Sequence, residues 1–223
     1  TQIPELVAAA SKHNRSLHDV RHPSREFDVG NGINRSGKRL LTVGTDVSVG
    51  KMFTALAIEK EMKKRGFDAD FRATGQTGIF IAGSGVSIDA VVADFISGAV
   101  EWLCPENAED HWDIVEGQGS LFNVSYAGVT LGLIHGSQPD AIVVCHEAGR
   151  PHMRSMPHFP LIDLPTCIEF NLQAARLTNP DVRCVGAAIN TSRLSKEEGK
   201  IFCEKISQEI GLPAVDPMRD GVA

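Results

Sequence analysis

The chain has 223 residues, of which 42% are hydrophobic, so it can bury one sizeable core and a single large domain is expected. It carries 22 basic and 28 acidic residues, and the resulting net charge of −6 argues against a broad basic surface for nucleic acid. No apolar run approaches the roughly 18 residues of a membrane span, so we expect small-molecule ligands and no membrane or nucleic-acid partner.

The cysteines and the start of the chain bear on the compartment. The five cysteines are scattered and form no C-x-x-C pair, which argues against a disulfide framework or a zinc ribbon and predicts a reducing, cytoplasmic setting. The first residue is Thr1, without a signal-peptide pattern after it, which indicates a processed or truncated chain.

The N-terminal segment predicts a helix over residues 4–13, a short strand over 17–20 and a glycine-rich linker over 22–38. Such a unit is too short to bury its own apolar side chains. We therefore interpret residues 1–36 as the tail of an N-terminal domain plus linker, or as an arm, and expect it to pack against a further domain. Residues 37–223 then form the main domain.

From residue 39 the pattern is regular. A buried strand over 40–43 leads to Gly44, a helix covers 51–65 with Gly66 as its C-terminal glycine, and a second strand covers 69–73. Apolar residues at i, i+3 and i+4 predict one long helix over 87–103. Further strands are predicted over 113–116, 141–145 and 182–189, and helices over 166–177 and from Ser195 to Gly211. Alternating strands and helices predict an α/β fold with a mostly parallel sheet and helices on both faces.

The segment after the first strand is a candidate phosphate-binding loop of the P-loop NTPase-like kind. A glycine-rich turn ends at Gly50 and Lys51, where a helix begins, so backbone N–H groups, the helix dipole and one ammonium can converge on phosphate oxygens. The loop predicts binding of a nucleotide-bearing ligand through Gly44, Thr45, Asp46, Val47, Ser48, Val49, Gly50 and Lys51.

The loop departs from the common P-loop pattern in two ways. Five residues separate Gly44 from Gly50, whereas the pattern has four. Met52 stands where a Ser or Thr hydroxyl binds Mg²⁺, and a thioether is a poor ligand for so hard a cation. Phosphate binding is retained by this reasoning, whereas metal-assisted phosphoryl transfer is put in doubt.

Several motifs carry a resemblance to known families. Residues 44–51 together with Val115, Glu116, Gly117 and Gly119 are similar to dethiobiotin synthetase-type P-loop proteins. A closer match extends from residue 38 to 223 and resembles the D-glutamate N-acetyltransferase-like family, catalogued as a P-loop domain of unknown function. Its motifs are residues 42–52, including Met52, and residues 73–78, 116–120, 126–133 and 135–140.

The resemblance implies acetyl transfer from acetyl-coenzyme A to the amino group of a D-amino acid, most specifically D-glutamate. It also implies an N-terminal Rossmann-like domain, of which residues 1–36 are the remnant. Related P-loop proteins read an adenine at the position of Asn190. We further expect a homo-oligomer, with no resident metal.

Acetyl transfer to an amine needs a base for the ammonium proton. Glu116 is the leading candidate because it follows an apolar strand and faces the carboxyl edge of the sheet, where ligands bind. The alternative is a carboxylate that holds Lys51 or a metal. His146 and Glu147 follow the strand over 141–145 and reach the same edge, so His146 is a second candidate base and a structural histidine is its alternative. Together with His152 and His158 they are also a candidate metal site, but their spacing is not that of the H-E-x-x-H motif.

Other residues are candidates for substrate binding. Arg150 and Arg154 present forks that match carboxylates, although a solvated basic loop is the alternative. Gln76, Thr77 and Ser84 lie in glycine-rich turns whose N–H groups suit an anion, and the alternative is that these are plain tight turns. Gln118, two residues after Glu116, is a further candidate for substrate binding. Two rival functions remain open: an ATP-dependent ligase or kinase of the dethiobiotin synthetase type, and a non-enzymatic nucleotide-sensing module.

Overall fold

A computed structural model describes residues 3–23 and 25–222. The helices and strands alternate along most of the chain, and two single 3-10 turns precede the fourth helix. The helices are α1 Pro4–Lys12, α2 Lys51–Lys64, α3 Gln76–Ala82, α4 Ile96–Leu103, α5 Ala127–Ser137, α6 Leu164–Arg176 and α7 Lys196–Ile210. The strands are β1 Lys38–Gly44, β2 Ala69–Arg72, β3 Trp112–Val115, β4 Ala141–Glu147, β5 His152–Met153, β6 Met156–Pro160, β7 Arg183–Asn190 and β8 Ala214–Val215.

The main sheet has six strands in the order β2-β3-β1-β4-β7-β8, and every neighbouring pair is parallel. β1 is central, with Leu40 in register with Ile114 of β3 and with Ala141 of β4. A separate antiparallel hairpin of β5 and β6 follows β4. The α/β fold with a mostly parallel sheet is thus confirmed.

The order of the strands determines which face each helix covers. Only the β1-to-β2 connection runs toward the β2 edge of the sheet, whereas the later connections run toward β8. Right-handed crossovers therefore place α2 on one face and the later helices on the other. The two cores agree: Ala55 of α2 packs with Leu40 and Ile114, while Leu41 and Ile142 pack with residues of α4, α5, α6 and α7.

Several local predictions are confirmed. α2 starts at Lys51 and is followed by Gly66, whose φ of 85° is the left-handed conformation expected after a helix. α7 begins with a capping box in which Ser195 and Glu198 bond each other's backbone N–H groups, and it ends at Gly211.

The single helix predicted over residues 87–103 is wrong. The segment forms two 3-10 turns, Ile88–Ala90 and Ala93–Phe95, before α4 begins at Ile96. Val91 and Val92 between them are extended, with ψ of 138° and 137°. Adjacent β-branched side chains lose rotamer freedom in a helix, and here that preference prevails over the apolar periodicity.

The strand predicted over residues 17–20 does not form either, because the segment has no neighbouring strand and Leu17 is exposed. β4 is longer than predicted and includes His146 and Glu147 instead of ending before them. The sequence reasoning also did not predict α3 and α5. α5 contains Gly132 and Gly136, and a Cβ at either would meet α4 within 2.5 Å, so these glycines permit close helix packing.

The segment before β1 lies against α4. The backbone N–H groups of Asn31 and Gly32 donate to the carboxylate of Glu101, and Arg35 donates to the carbonyl of Gly136 at 2.6 Å. By contrast, no residue of α1 is buried. Within residues 3–23 and 25–222, no helix is long and apolar enough to cross a membrane.

Candidate functional site

The main cleft lies at the carboxyl edge of the parallel sheet, where the loops after β1 and β3 meet the end of β7. Ligands of such sheets bind at this edge. The cleft has a volume of about 510 Å³. It is lined by Val47, Ser48, Gly50, Lys51, Met52, Phe53, Asp89, Glu116, Gly117, Gln118, Gly119, Tyr126, Val129 and Asn190.

The loop after β1 makes a tight turn that leads directly into the start of α2. Ser48 and Gly50 have φ of 55° and 110°, so the chain turns sharply before α2. A Cβ at Gly44 would lie 2.8 Å from Val49 and 3.0 Å from the carbonyl of Cys145, which explains a glycine there. No side chain caps the start of α2, so the N–H groups of its first turn remain available to an anion.

Lys51 adds the positive charge of the loop. Its side chain is almost buried, and the Nζ donates to the carbonyl oxygen of Asp46 at 2.8 Å. Burial lowers the pKa of this ammonium from 10.5 to about 8. The group is therefore charged at neutral pH and loses its proton within a modest rise in pH.

Glu116 lies in the same cleft as Lys51, directly after β3. It is buried, and its Oε2 accepts the backbone N–H groups of Thr74 at 2.9 Å and of Gly75 at 3.1 Å. Burial raises the pKa of this carboxyl, which makes it a stronger base than an exposed glutamate. Both features suit a proton acceptor held in a fixed position.

Two close approaches hold the segment after Glu116 against β1. The N–H of Gly117 donates to the Oγ1 of Thr42 at 2.9 Å, and a Cβ at Gly117 would lie only 1.6 Å from the Thr42 carbonyl oxygen. The Nε2 of Gln118 donates to the Oγ1 of Thr74 at 3.2 Å. Only glycine fits at residue 117, and the cleft floor is tied to β1 and to the segment that follows β2.

His146 is placed differently from Glu116. It lies within β4, its Nδ1 is 3.1 Å from the Oγ1 of Thr45, and its ring stacks on Phe202. Burial lowers its pKa to about 4, so the imidazole is neutral at pH 7. It is not among the residues that line the cleft. Its role as a base stays a prediction, and the contacts favour the structural alternative.

Asp46, Glu147 and Arg150 form a buried network behind the loop. Asp46 accepts the Nδ2 of Asn123 at 2.9 Å, the Nη1 of Arg150 at 2.8 Å and the backbone N–H of Arg154 at 2.6 Å. Burial opposes ionisation of Asp46, but these donors prevail and keep its pKa below the usual value.

Arg150 also reaches the loop backbone and a second carboxylate. It donates to the carbonyls of Val47 at 2.8 Å and Ser48 at 3.2 Å and pairs with Glu147, which also accepts from Arg193 at 2.5 Å. The predicted substrate clamp is thus occupied by the protein itself, and Glu147 is equally engaged. The side chain of Arg154 is exposed.

The other predicted residues are dispersed. Asn190 ends β7 and lines the cleft. Gln76, Thr77 and Ser84 are exposed and lie outside its lining. Residues 76–82 form a helix instead of the predicted turn. In the described part of the chain, no three His, Cys, Asp or Glu side chains come together in a way that could hold a metal ion.

Sequence reasoning did not predict four side chains of the lining: Phe53, Asp89, Tyr126 and Val129. Phe53 lies in α2, and Tyr126 and Val129 lie where α5 starts; the rings of Phe53 and Tyr126 and the aliphatic Val129 side chain add apolar surface. Asp89 lines the mouth and pairs with Arg21. Asp89 was not considered as a site residue because it was assigned to the long helix predicted over residues 87–103.

A family model provides the comparison that decides the relationship. The P-loop domain of unknown function DUF1611 (DUF1611_C) matches residues 28–223. The chain belongs to the DUF1611 family. The resemblance inferred from the motifs is thereby confirmed.

Two named relatives and one solved structure extend this result. A protein of Pseudoalteromonas sp. named D-glutamate N-acetyltransferase is 59% identical, over 100% of this chain and 67% of its own length. A protein of the same name from Tritonibacter scottomollicae is 51% identical, over 98% and 66%. The crystal structure of a DUF1611 family protein from Anabaena variabilis superposes with a TM-score of 0.90 at 38% identity, covering 99% of this chain and 65% of that one. The chain thus spans about two thirds of the length of these DUF1611 relatives.

Proposed function

We propose that this chain is the P-loop domain of an N-acetyltransferase that moves an acetyl group from acetyl-coenzyme A to the amine of D-glutamate. The observation that carries the proposal is the presence of Lys51 and Glu116 in one cleft, one suited to phosphates and the other to an ammonium proton. The names of the two relatives, at 59% and 51% identity, support the reaction and the acceptor.

In this proposal the loop after β1 holds the phosphates of acetyl-coenzyme A. The uncapped start of α2 supplies N–H donors and Lys51 supplies charge. Phe53, Tyr126 and Val129 give the cleft an apolar side that suits the thioester end of the donor. Asn190 at the end of β7 is the residue proposed to contact the adenine.

Glu116 is the proposed base. Its carboxylate takes a proton from the substrate ammonium, and the freed amine attacks the thioester carbonyl. A carbon–nitrogen bond forms, the carbon–sulfur bond breaks, and the coenzyme leaves as a thiolate, which takes up the second proton that the attacking nitrogen loses as it becomes the amide. The two backbone donors at Thr74 and Gly75 fix the carboxylate, so it needs no rearrangement before it accepts the proton.

An ATP-dependent ligase or kinase is the second candidate, because the same Lys51 and Glu116 would suit it. Met52 opposes it. In P-loop enzymes the residue after the loop lysine gives a hydroxyl to Mg²⁺, which bridges the terminal phosphates as charge develops. Met52 lines the cleft without an oxygen to offer. A nucleotide-sensing module would bind its ligand tightly and would turn over neither acetyl-coenzyme A nor ATP.

The test compares acetyl-coenzyme A with Mg²⁺-ATP. We expect acetyl-coenzyme A to raise the melting temperature more than Mg²⁺-ATP, D-glutamate to release coenzyme thiol, and ATP to release phosphate only at background rates. Lys51→Ala should weaken coenzyme binding, whereas Lys60→Ala, an exposed lysine on the same helix, should not. Brisk Mg²⁺-dependent phosphate release that is lost in Lys51→Ala would favour the ligase or kinase instead.

A further inference from the structure

Arg21 and Asp89 form an ion pair at the mouth of the candidate cleft. The Nη1 of Arg21 contacts the Oδ2 of Asp89, and the Oγ of Ser87 donates to the Oδ1 of Asp89 at 3.0 Å. Asp89 lines the same cleft as Lys51 and Glu116. The pair therefore joins the segment before β1 to the entrance of the site.

The ion pair is exposed to solvent, and breaking it costs little free energy. The side chain of Arg21 is 42% exposed and that of Asp89 is 48% exposed. Ion pairs at such exposure contribute little to stability because water and salt screen them. A ligand that offers one positive and one negative group can replace the pair without leaving either side chain alone.

The other charged groups of the cleft region are less available for this purpose. Glu116 is buried and bound by two N–H groups, and Arg150 is bound to Asp46, Glu147 and the loop carbonyls. Lys51 is nearly buried and contacts the loop backbone. Among the described charged residues that line the cleft, Asp89 is the one with a largely exposed carboxylate.

We propose that Arg21 and Asp89 bind the zwitterionic head of the α-amino-acid acceptor, and this inference rests on the proposed function. Asp89 takes the ammonium and Arg21 takes the α-carboxylate, for which its planar fork is matched. An amine held by Asp89 then lies in the cleft that also contains Glu116. The pair selects amino acids over simple amines, because only a zwitterion satisfies both members.

The test uses Arg21→Gln and Asp89→Asn with D-glutamate as the probe. Each variant should raise the KM for D-glutamate roughly 10- to 100-fold, which is the loss expected for one hydrogen bond to a charged group. The KM for acetyl-coenzyme A and the melting temperature should stay at wild-type values. Arg15→Gln and Asp94→Asn are matched controls, since both residues are exposed and lie outside the cleft lining.

A second acceptor separates recognition from general damage. 4-Aminobutanoate has the amine and the distal carboxylate of D-glutamate but lacks the α-carboxylate. Arg21→Gln should therefore use it as well as the wild type does, whereas Asp89→Asn should still be impaired. Equal losses for both acceptors in Arg21→Gln, or an unchanged KM for D-glutamate in both variants, would overturn the proposal.

Calorimetry with D-glutamate distinguishes this failure from failure of the proposed reaction. Binding that both variants weaken, in a wild-type protein that releases no coenzyme thiol, would support the zwitterion site and refute the reaction. Thiol release with an unchanged KM for D-glutamate in both variants would support the reaction and refute the zwitterion site. A wild-type protein that neither binds nor acetylates D-glutamate would overturn both.

Discussion

Replacing Arg150 by alanine should destabilise the protein instead of only weakening substrate binding. The guanidinium bridges two buried carboxylates, Asp46 and Glu147, and also bonds the carbonyls of Val47 and Ser48. The side chains of Arg150, Asp46 and Glu147 are 9%, 0% and 8% exposed. Removing the cation leaves charges in the interior with fewer partners, and their desolvation is no longer compensated.

The expected magnitude follows from the donors that remain. Breaking a buried pair by removing one partner costs about 3–5 kcal/mol. Asp46 keeps Asn123 and the N–H of Arg154, and Glu147 keeps Arg193. These contacts place the loss near the lower value, about 3 kcal/mol. For a domain of this size that corresponds to a fall in melting temperature of roughly 6–12 °C.

Thermal and urea unfolding measure this loss directly. We expect the urea midpoint of Arg150→Ala to fall with an unchanged m-value, which marks a change in stability without a change in the unfolded surface. Arg154→Ala is the control, because its side chain is exposed while its N–H contact with Asp46 is kept. If Arg150→Ala melts within about 1 °C of the wild type and only the acceptor KM rises, the substrate-clamp prediction is correct and the network argument is refuted.

Three further predictions concern the titrating groups. Coenzyme affinity should fall as pH rises through about 8, where Lys51 loses its proton; Lys51→Arg should remove the fall, and a flat wild-type profile in calorimetry from pH 7 to 9 would contradict this. Glu116→Gln should lower kcat by roughly 10²–10⁴-fold with little change in coenzyme affinity. A wild-type kcat in Glu116→Gln, together with a large loss of kcat in His146→Ala, would show that Glu116 is not the base. Burial lowers the pKa of His146 from 6.5 to about 4 in the folded protein. The unfolded chain therefore binds the proton first, and stability should fall as pH drops between these values, by up to roughly 3 kcal/mol. His146→Phe should lack that component of the acid unfolding curve, and identical curves for the two proteins would exclude it.

The elements that sequence reasoning predicted well are those specified by neighbouring residues. The strand, the turn at Gly50 and the start of α2 at Lys51 lie within a short stretch, and each supports the next. The capping box of α7 involves only Ser195 and Glu198. The buried parallel strands are readable because both faces of each are apolar.

The parts that failed depend on distant partners. Gly132 and Gly136 look like helix breakers until α4 is seen packed against them. Asp46 and Arg150 are 104 residues apart, so their contact has no local signal in the sequence. The break at Val91 and Val92 leaves Asp89 in a short 3-10 turn that lines the cleft, instead of in the long helix that the apolar periodicity predicts.

The arrangement around the loop supports phosphate binding without phosphate chemistry. Charge on a transferring phosphoryl group is normally offset by a metal ion held through oxygen ligands. Here Met52 has no oxygen, the carboxylate of Asp46 is bound by three donors, and Glu116 accepts two N–H groups. Lys51 and the uncapped start of α2 supply the charge and the N–H donors that the proposed phosphate binding needs. A reaction at a distant thioester uses the phosphates only as a point of attachment. It therefore does not require the hydroxyl ligand for Mg²⁺ that Met52 lacks.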